Sequence, residues 1–416
     1  MSEVDVLFVH NNFPAQFRNL ARMFVAKGLR VAAIASKGAP GMPGVTMQRY
    51  TFPAPKLDHV HPFARRFEIE SRRAEQVIYA ANLLKLDGFR PRLIYVHPGW
   101  GEALPLRPLF PDATICAYAE FYYAPSGIDV GFDREFPSFG VDGETRVVLR
   151  NAATLLSLAD ADFAVAPTFW QRSVFPREFR PKIRVAHDGL DTDRLAPREP
   201  QREIEVAGRR FGAEDEIVTF VSRNLEPYRG FHIFMRALPA ILKARPRAQI
   251  CIMGGDEVSY GAPPLDHPNW RTAMLTEVGA HLDPARVHFL GALPYEEYQT
   301  LVARSAAHVY LTYPFVLSWS MLEAMSMGAL VIGSDTPPVA EVLQHGENGI
   351  LVPFFDVEAL SARIIEALAN PARFQPIRRA ARATIVENFD FERRCWADHV
   401  QIIRDSGCSE RVIERL

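Results

Sequence analysis

The chain is poor in cysteine: Cys116, Cys251, Cys395 and Cys408 are the only four in 416 residues. They are scattered, and no two form a C-x-x-C pair. Such spacing offers neither a zinc site nor a disulfide framework, and it suits a reduced compartment. An excess of one charge is lacking too. Lys and Arg total 47 against 49 Asp and Glu, a formal net charge of −2. General nucleic-acid binding usually shows as a basic excess, so that class of partner is not expected. No apolar run approaches the length needed to span a bilayer. The opening stretch MSEVDVLFVHNNFP lacks a basic segment followed by a long apolar core, so it reads as a first strand and not as a signal peptide. A cytoplasmic protein is expected, with any membrane contact peripheral and at the inner face.

What is present is ordinary globular composition, 48% hydrophobic and 23% charged. The length suggests two domains. Short apolar runs recur at 4–10, 29–36, 92–98, 113–120, 161–168 and 182–189, several followed by amphipathic segments. After a polar stretch rich in Pro and Gly the pattern restarts at 217–223, 248–255, 287–293, 307–314 and 329–335. Continuous apolar strands alternating with helices imply parallel sheets covered on both faces. The expected architecture is α/β, with two doubly wound Rossmann-like domains facing each other across a cleft. The divisions read as 1–196, a linker at 197–216 with room for a short helix, 217–388, and a terminal helix at 389–416 packing back on the first domain. Ligands in such folds lie outside the carboxyl ends of the strands. Two basic stretches, 65–73 and 373–383, suit solvated helix faces or contact with anionic lipid headgroups.

Several residues suit chemistry at strand ends. SRNLEPYRG (222–230) places Arg223 and Arg229 in one strand-to-helix turn, a sensible diphosphate clamp because arginine forks match phosphate oxygens. Gly255, in MGGDEVSYG, lies in a turn where a ligand could approach the backbone. Ser318, Trp319 and Ser320 precede or open the helix containing Glu323, and free N–H groups there would face the same phosphates. Glu323 suits the vicinal diol of a ribose, while Glu341 stands in a second apolar run. In the first half, His97 is either a strand-end cap or a functional imidazole. Glu120 is either a functional carboxylate or a structural one paired with an arginine. Gln16 opens the helix after the first strand.

These segments resemble the family-four retaining glycosyltransferases of the GT-B fold. The resemblance rests on SRNLEPYRGFHIFMRALPAIL, GALPYEEYQTLVARSAAHVYLTYPF, LEAMSMGALVIGSDTPPVAEVLQHGENGILV and IRVAHDGLDTDRLAP, in the family's order and spacing. FVHNNFPAQFRNLA, HPGWGE and AEFYYAPSGIDVGFDREFP are similar to one bacterial subgroup. The resemblance implies metal-independent, retaining transfer of a sugar from a UDP- or GDP-sugar, a co-substrate and not a bound cofactor. It implies polysaccharide or glycoconjugate synthesis, with a glycan, lipid-linked, protein or small-molecule acceptor. Arg223 matches the family's phosphate-binding arginine, and Arg229 stands where a lysine is usual. Glu323 matches the second glutamate of the Glu-x7-Glu motif, but Phe315 replaces the first. Glu120 stands where many members carry a histidine, with His97 as the other catalytic candidate. Acceptor binding is expected near Asn12, Gln16, His97, Glu120 and Tyr122. The alternatives are a nucleotide-sugar epimerase or hydrolase on the same fold, or a catalytically silent nucleotide-sugar-binding protein.

Overall fold

The computed structural model describes residues 5–136, 140–198 and 202–416. It divides into two compact units, one formed by the chain up to Gly189 together with Phe391–Leu416, the other by Leu190–Asp390.

The first unit is built on seven strands: β1 (Asp5–Val9), β2 (Arg30–Ser36), β3 (Val45–Tyr50), β4 (Pro91–Val96), β5 (Thr114–Tyr118), β6 (Phe163–Ala166) and β7 (Ile183–Val185). Their order is β3-β2-β1-β4-β5-β6-β7, paired in parallel throughout. Strand β1 is buried along its whole length, so its side chains feed the cores on both faces of the sheet. This is why it reads as an unbroken apolar run. Strand β3 escaped that reading because it lies at the edge, and its middle residues are only partly covered. The C-terminal segment belongs to this unit: Ile402, Ile403, Cys408 and Val412 share a core cluster with Val6, Phe8 and Phe24. Its main helix spans Trp396–Asp405, shorter than the expected 389–416.

The second unit opens with a two-stranded antiparallel hairpin, β8 (Ile204–Val206) and β9 (Arg209–Phe211). Here the linker expected at 197–216 is corrected. Ala207 and Gly208 have φ of 51° and 71°, the twist that a tight hairpin favours. Ile204, Val206 and Phe211 are buried in the unit's core, so 204–211 is folded structure and not a spacer. Six parallel strands follow: β10 (Glu216–Asn224), β11 (Ala248–Gly255), β12 (Val287–Gly291), β13 (Ala307–Tyr310), β14 (Val331–Ser334) and β15 (Ile350–Val352). Their order is β12-β11-β10-β13-β14-β15. Among the described residues no helix is long and apolar enough to cross a membrane.

The two basic stretches are largely put to structural use. Arg66 pairs with Glu70 at 2.6 Å and donates to the Gly99 carbonyl at 2.6 Å, while Arg73 donates to the Trp100 carbonyl at 3.2 Å. In the second stretch, Arg382 donates to the carbonyls of Leu195 and Thr192 at 2.9 and 2.8 Å, and Arg378 to that of Ala306. These arginines cap backbone carbonyls, which leaves fewer cations for a lipid surface.

The turn held by Arg66 and Arg73 depends on Gly101. Its φ is +90°, and an added Cβ would lie within 2.6 Å of the Glu70 Cα. Neither strain can relax, because both partners are backbone. Gly101→Ala is expected to lower stability by about 2–5 kcal/mol, the sum of a left-handed alanine and an overpacked contact. Chemical denaturation would check it, and an unchanged midpoint would contradict this packing.

Candidate active site

In the first unit, the carboxyl ends of three adjacent strands bring a polar cluster together. Gln16 lies in the short turn after β1, His97 directly follows β4, and Glu120 lies just beyond β5. Gln16 donates its amide to Glu120 Oε1 at 2.7 Å, and His97 Nε2 lies 3.2 Å from Glu120 Oε2. The Gly99 N–H donates to His97 Nδ1 at 3.1 Å. With Nδ1 an acceptor, the ring proton sits on Nε2 and is donated to the carboxylate. His97 is therefore both a cap of its turn and the partner of Glu120. Burial works against the charge of Glu120, but the hydrogen bonds from His97 and Gln16 outweigh it and hold the carboxyl below its usual pKa. Its side chain remains 28% exposed, so an ionised carboxylate with spare acceptor capacity faces outward. The partners are thus a histidine and a glutamine, not the arginine considered from the sequence.

His10 was not singled out from the sequence, yet it belongs to this cluster. It is buried, and its ring lies 5.4 Å from His97 and 5.0 Å from Trp100. Burial first, then the neighbouring His97, lower its pKa to about 3. Trp100 stacks on His97 at 4.2 Å. The exposed Asn12 donates its N–H to His10 Nδ1 at 2.9 Å. Tyr122 instead turns toward the core, its ring 6.0 Å from Phe175.

The second unit repeats the arrangement at β11, β10 and β13. Arg223 is the exposed penultimate residue of β10, and Arg229 closes the short turn Pro227–Arg229. Arg229 is 6% exposed. Its Nη1 donates to Tyr310 Oη at 3.1 Å, Thr312 Oγ1 at 2.8 Å and the Val316 carbonyl at 3.0 Å. Burial opposes its charge, but the nearby Tyr310 and Tyr260 hydroxyls hold its pKa above the usual arginine value. Neither arginine has a carboxylate within ion-pair distance among the described residues. Glu226, in the same turn, directs its buried carboxylate at three successive backbone donors, the N–H groups of Ser259, Tyr260 and Gly261, at 3.2, 3.1 and 2.9 Å. Gly255 ends β11 against Asn224, whose oxygen leaves no room for a Cβ.

The segment after β13 corrects one expectation. Ser318 caps the helix Trp319–Ser326, but its own N–H donates to Tyr310 Oη at 2.7 Å, and the Ser320 N–H donates to Ser318 Oγ at 3.3 Å. Two of the three expected backbone donors are thus committed within the protein. Phe315 is buried against Tyr260 and Tyr228, with ring centroids 4.8 and 5.5 Å away. Glu323 accepts hydrogen bonds from Tyr295 and Tyr298, both at 2.8 Å. These tyrosines sit on one face of the helix Tyr295–Arg304. Their i, i+3 spacing in YEEY was the only available signal for them. Glu341 is exposed beside a short helical turn, outside the core.

Comparison with known proteins bears on this geometry. The family described as "Glycosyl transferase family 4 group" matches residues 27–195, and "Glycosyl transferases group 1" matches residues 202–384. The chain belongs to the family-four glycosyltransferases. This glycosyltransferase is 26% identical over 307 residues to the GDP-mannose-dependent alpha-(1-6)-phosphatidylinositol monomannoside mannosyltransferase of Mycolicibacterium smegmatis, covering 71% of this chain and 73% of that one. It is 29% identical over 217 residues to the D-rhamnosyltransferase WbpZ of Pseudomonas aeruginosa, covering about half of each. Among solved structures, sucrose-phosphate synthase from Thermosynechococcus elongatus aligns with a TM-score of 0.72 at 18% identity, over 97% of this chain and 99% of that one. Anabaena HepE, in complex with UDP and glucose, aligns with a TM-score of 0.66 at 16% identity over the same shares. These structural likenesses show the GT-B fold.

One buried acid supports the His97 turn of this glycosyltransferase. Glu102 is fully buried, accepts the Tyr50 hydroxyl, and has its pKa raised to about 7, burial being the largest cause. Unfolded, it would ionise near the ordinary value of 4.5. Between those values the folded state holds a proton that the unfolded state has lost, so stability falls as pH rises from about 4.5 to about 7. Glu102→Gln removes this dependence. Its stability relative to wild type is expected to improve by on the order of 3 kcal/mol between pH 4.5 and pH 8. Parallel stability curves for the two proteins would contradict the assignment.

Proposed function

We propose that this glycosyltransferase binds the diphosphate of a nucleotide-sugar donor between Arg223 and Arg229 and transfers the sugar with retention of configuration, without a metal. The observation that carries this reading is a buried guanidinium with no carboxylate within ion-pair distance among the described residues. Such a group is costly unless an anion meets it. The bonds of Arg229 to Tyr310, Thr312 and Val316 all pass through Nη1, and the Tyr260 hydroxyl also bonds the guanidinium, so an incoming oxygen would join that hydroxyl at the fork. Arg223, exposed one turn earlier, supplies a second fork. Glu323 takes the ribose diol, its two carboxylate oxygens held in place by the hydroxyls of Tyr295 and Tyr298.

In the proposed reaction the bond from the anomeric carbon to the donor phosphate oxygen breaks, and the acceptor oxygen bonds to that carbon on the same face. The acceptor proton passes to the departing phosphate. The two arginines stabilise the charge that develops there. On the first unit, the Glu120 carboxylate, oriented by His97 and Gln16, holds the acceptor. The acceptor class proposed is a glycan or lipid-linked glycan in polysaccharide or glycoconjugate assembly. The mannosyltransferase and rhamnosyltransferase relatives support this, as does HepE for a UDP donor and the mycobacterial relative for a GDP donor. The hydrogen-bonded His97–Glu120 pair also suits a nucleotide-sugar hydrolase or epimerase. Free or rearranged sugar without an acceptor adduct, from labelled donor, would favour that second reading.

Two measurements test the donor site. Arg223→Ala should weaken binding of UDP or GDP by about 1.5–3 kcal/mol, the worth of a charge-assisted hydrogen bond. Calorimetry in EDTA would read it, and unchanged affinity, or wild-type binding abolished by the chelator, would overturn the clamp or its independence from metal. Glu323→Gln should weaken ribonucleotide binding and leave a 2′,3′-dideoxy analogue nearly unaffected. Equal loss for both would assign Glu323 to holding Tyr295 and Tyr298 alone.

A further inference from the structure

The loop after β11 contributes a group that the sequence did not mark. The Tyr260 ring centroid lies 5.3 Å from the Arg229 guanidinium carbon and 6.0 Å from that of Arg223. No other ring has a recorded contact with both arginines among the described residues. An anion held by the two forks together must therefore lie beside it.

The loop is also held in place to a degree that a mere connection would not require. Glu226, with no exposed surface, accepts the N–H groups of Ser259, Tyr260 and Gly261. Asn224, at the end of β10, donates to Ser259 Oγ at 2.8 Å. Phe315 packs on the Tyr260 ring at 4.8 Å, and Tyr228 lies 6.2 Å away. A tyrosine fixed from the backbone side and from the ring side presents its hydroxyl with little ordering left to do, and such preorganisation favours binding. The expected donors at the opposite strand end are meanwhile occupied, since the Ser318 and Ser320 N–H groups bond within the protein.

We infer that Tyr260 is the third member of the anion site, its hydroxyl donating to the diphosphate that Arg223 and Arg229 hold. This rests on the donor reading given above. A phenol adds a neutral, directional donor without adding a third cation, so it discriminates by geometry where the arginines attract by charge.

The experiment titrates UDP, GDP and the corresponding UDP- and GDP-sugars into wild type, Tyr260→Phe and Arg223→Ala, with uridine and guanosine as controls lacking phosphate. Tyr260→Phe keeps the ring and its packing, so the fold is preserved. About a tenfold loss of affinity is expected for the diphosphates and for the diphosphate sugars alike, as for a hydrogen bond to a charged group, with nucleoside binding unchanged. A loss confined to the sugar-bearing ligands would place the hydroxyl on the sugar and overturn the assignment. Unchanged affinity in Tyr260→Phe together with a loss in Arg223→Ala would also overturn it while leaving the donor reading intact. No loss in Arg223→Ala would instead overturn the donor reading itself.

Discussion

A positive charge has been placed under cover in the second unit, and much around it is arranged to keep it there. Arg229 is buried, and the groups that hydrogen-bond it are neutral: the hydroxyls of Tyr310, Thr312 and Tyr260 and the Val316 carbonyl. A carboxylate in their place would stabilise the resting protein and quench the charge. Neutral acceptors hold the guanidinium in position without cancelling it. Tyr310 is central, because its hydroxyl receives Arg229 from one side and the Ser318 N–H from the other. One oxygen thus ties the turn after β10 to the helix start after β13. The acidic residue of the same turn, Glu226, is directed toward backbone N–H groups, so its charge steadies a loop and forms no ion pair with the arginine.

The first unit applies the opposite sign by the same topology. At the ends of β1, β4 and β5 the exposed charge is the Glu120 carboxylate, steadied by a histidine proton and an amide. Behind it, His10 is kept neutral by burial, and Trp100 covers one face of His97. In each unit three neighbouring strands end at one charged group, which follows from the general placement of ligands outside the carboxyl ends of parallel strands. Phe315, at the position where the sequence resemblance implies a glutamate, fits this economy of charge. A carboxylate there would have sat beside Arg229, whereas the phenyl ring lies 5.7 Å from the guanidinium carbon and leaves it charged.

The buried strands were legible in the sequence because a strand covered on both faces has no reason to alternate. The failures share a cause as well. Edge strand β3 shows mixed burial, and the hairpin at 204–211 turns on Ala-Gly, which is weaker as a turn signal than Asn-Gly. Among the candidate site residues, the charged ones at or beyond strand ends were legible in the sequence: Arg223, Arg229, Glu120 and Glu323. The tyrosine partners of Arg229 and Glu323 were not. Tyr310 is 81 residues from Arg229, and Tyr295 is 28 from Glu323. Tyr260, His10 and Tyr310 look like ordinary core aromatics until the fold supplies neighbours. Spacing along a chain encodes helical and strand contacts, but it does not say which strand end will meet which. The expected use of the Ser318 and Ser320 N–H groups failed for a related reason, since a local cap and a distant hydroxyl claimed them first.

The segment Phe391–Leu416 completes the first unit: Ile402, Ile403 and Val412 are buried in the same cluster as Val6 and Phe24. That has a consequence for synthesis on the ribosome. The N-terminal sheet can emerge and pair early, yet part of its apolar covering arrives only after the whole of Leu190–Asp390 has been translated. At typical bacterial to eukaryotic elongation rates that interval is about 10–40 s. For that time the sheet carries an open seam, while the second unit, continuous in sequence, has every segment it needs. The first unit is therefore finished only after the second has been made, and its sheet waits for the segment Phe391–Leu416 to emerge.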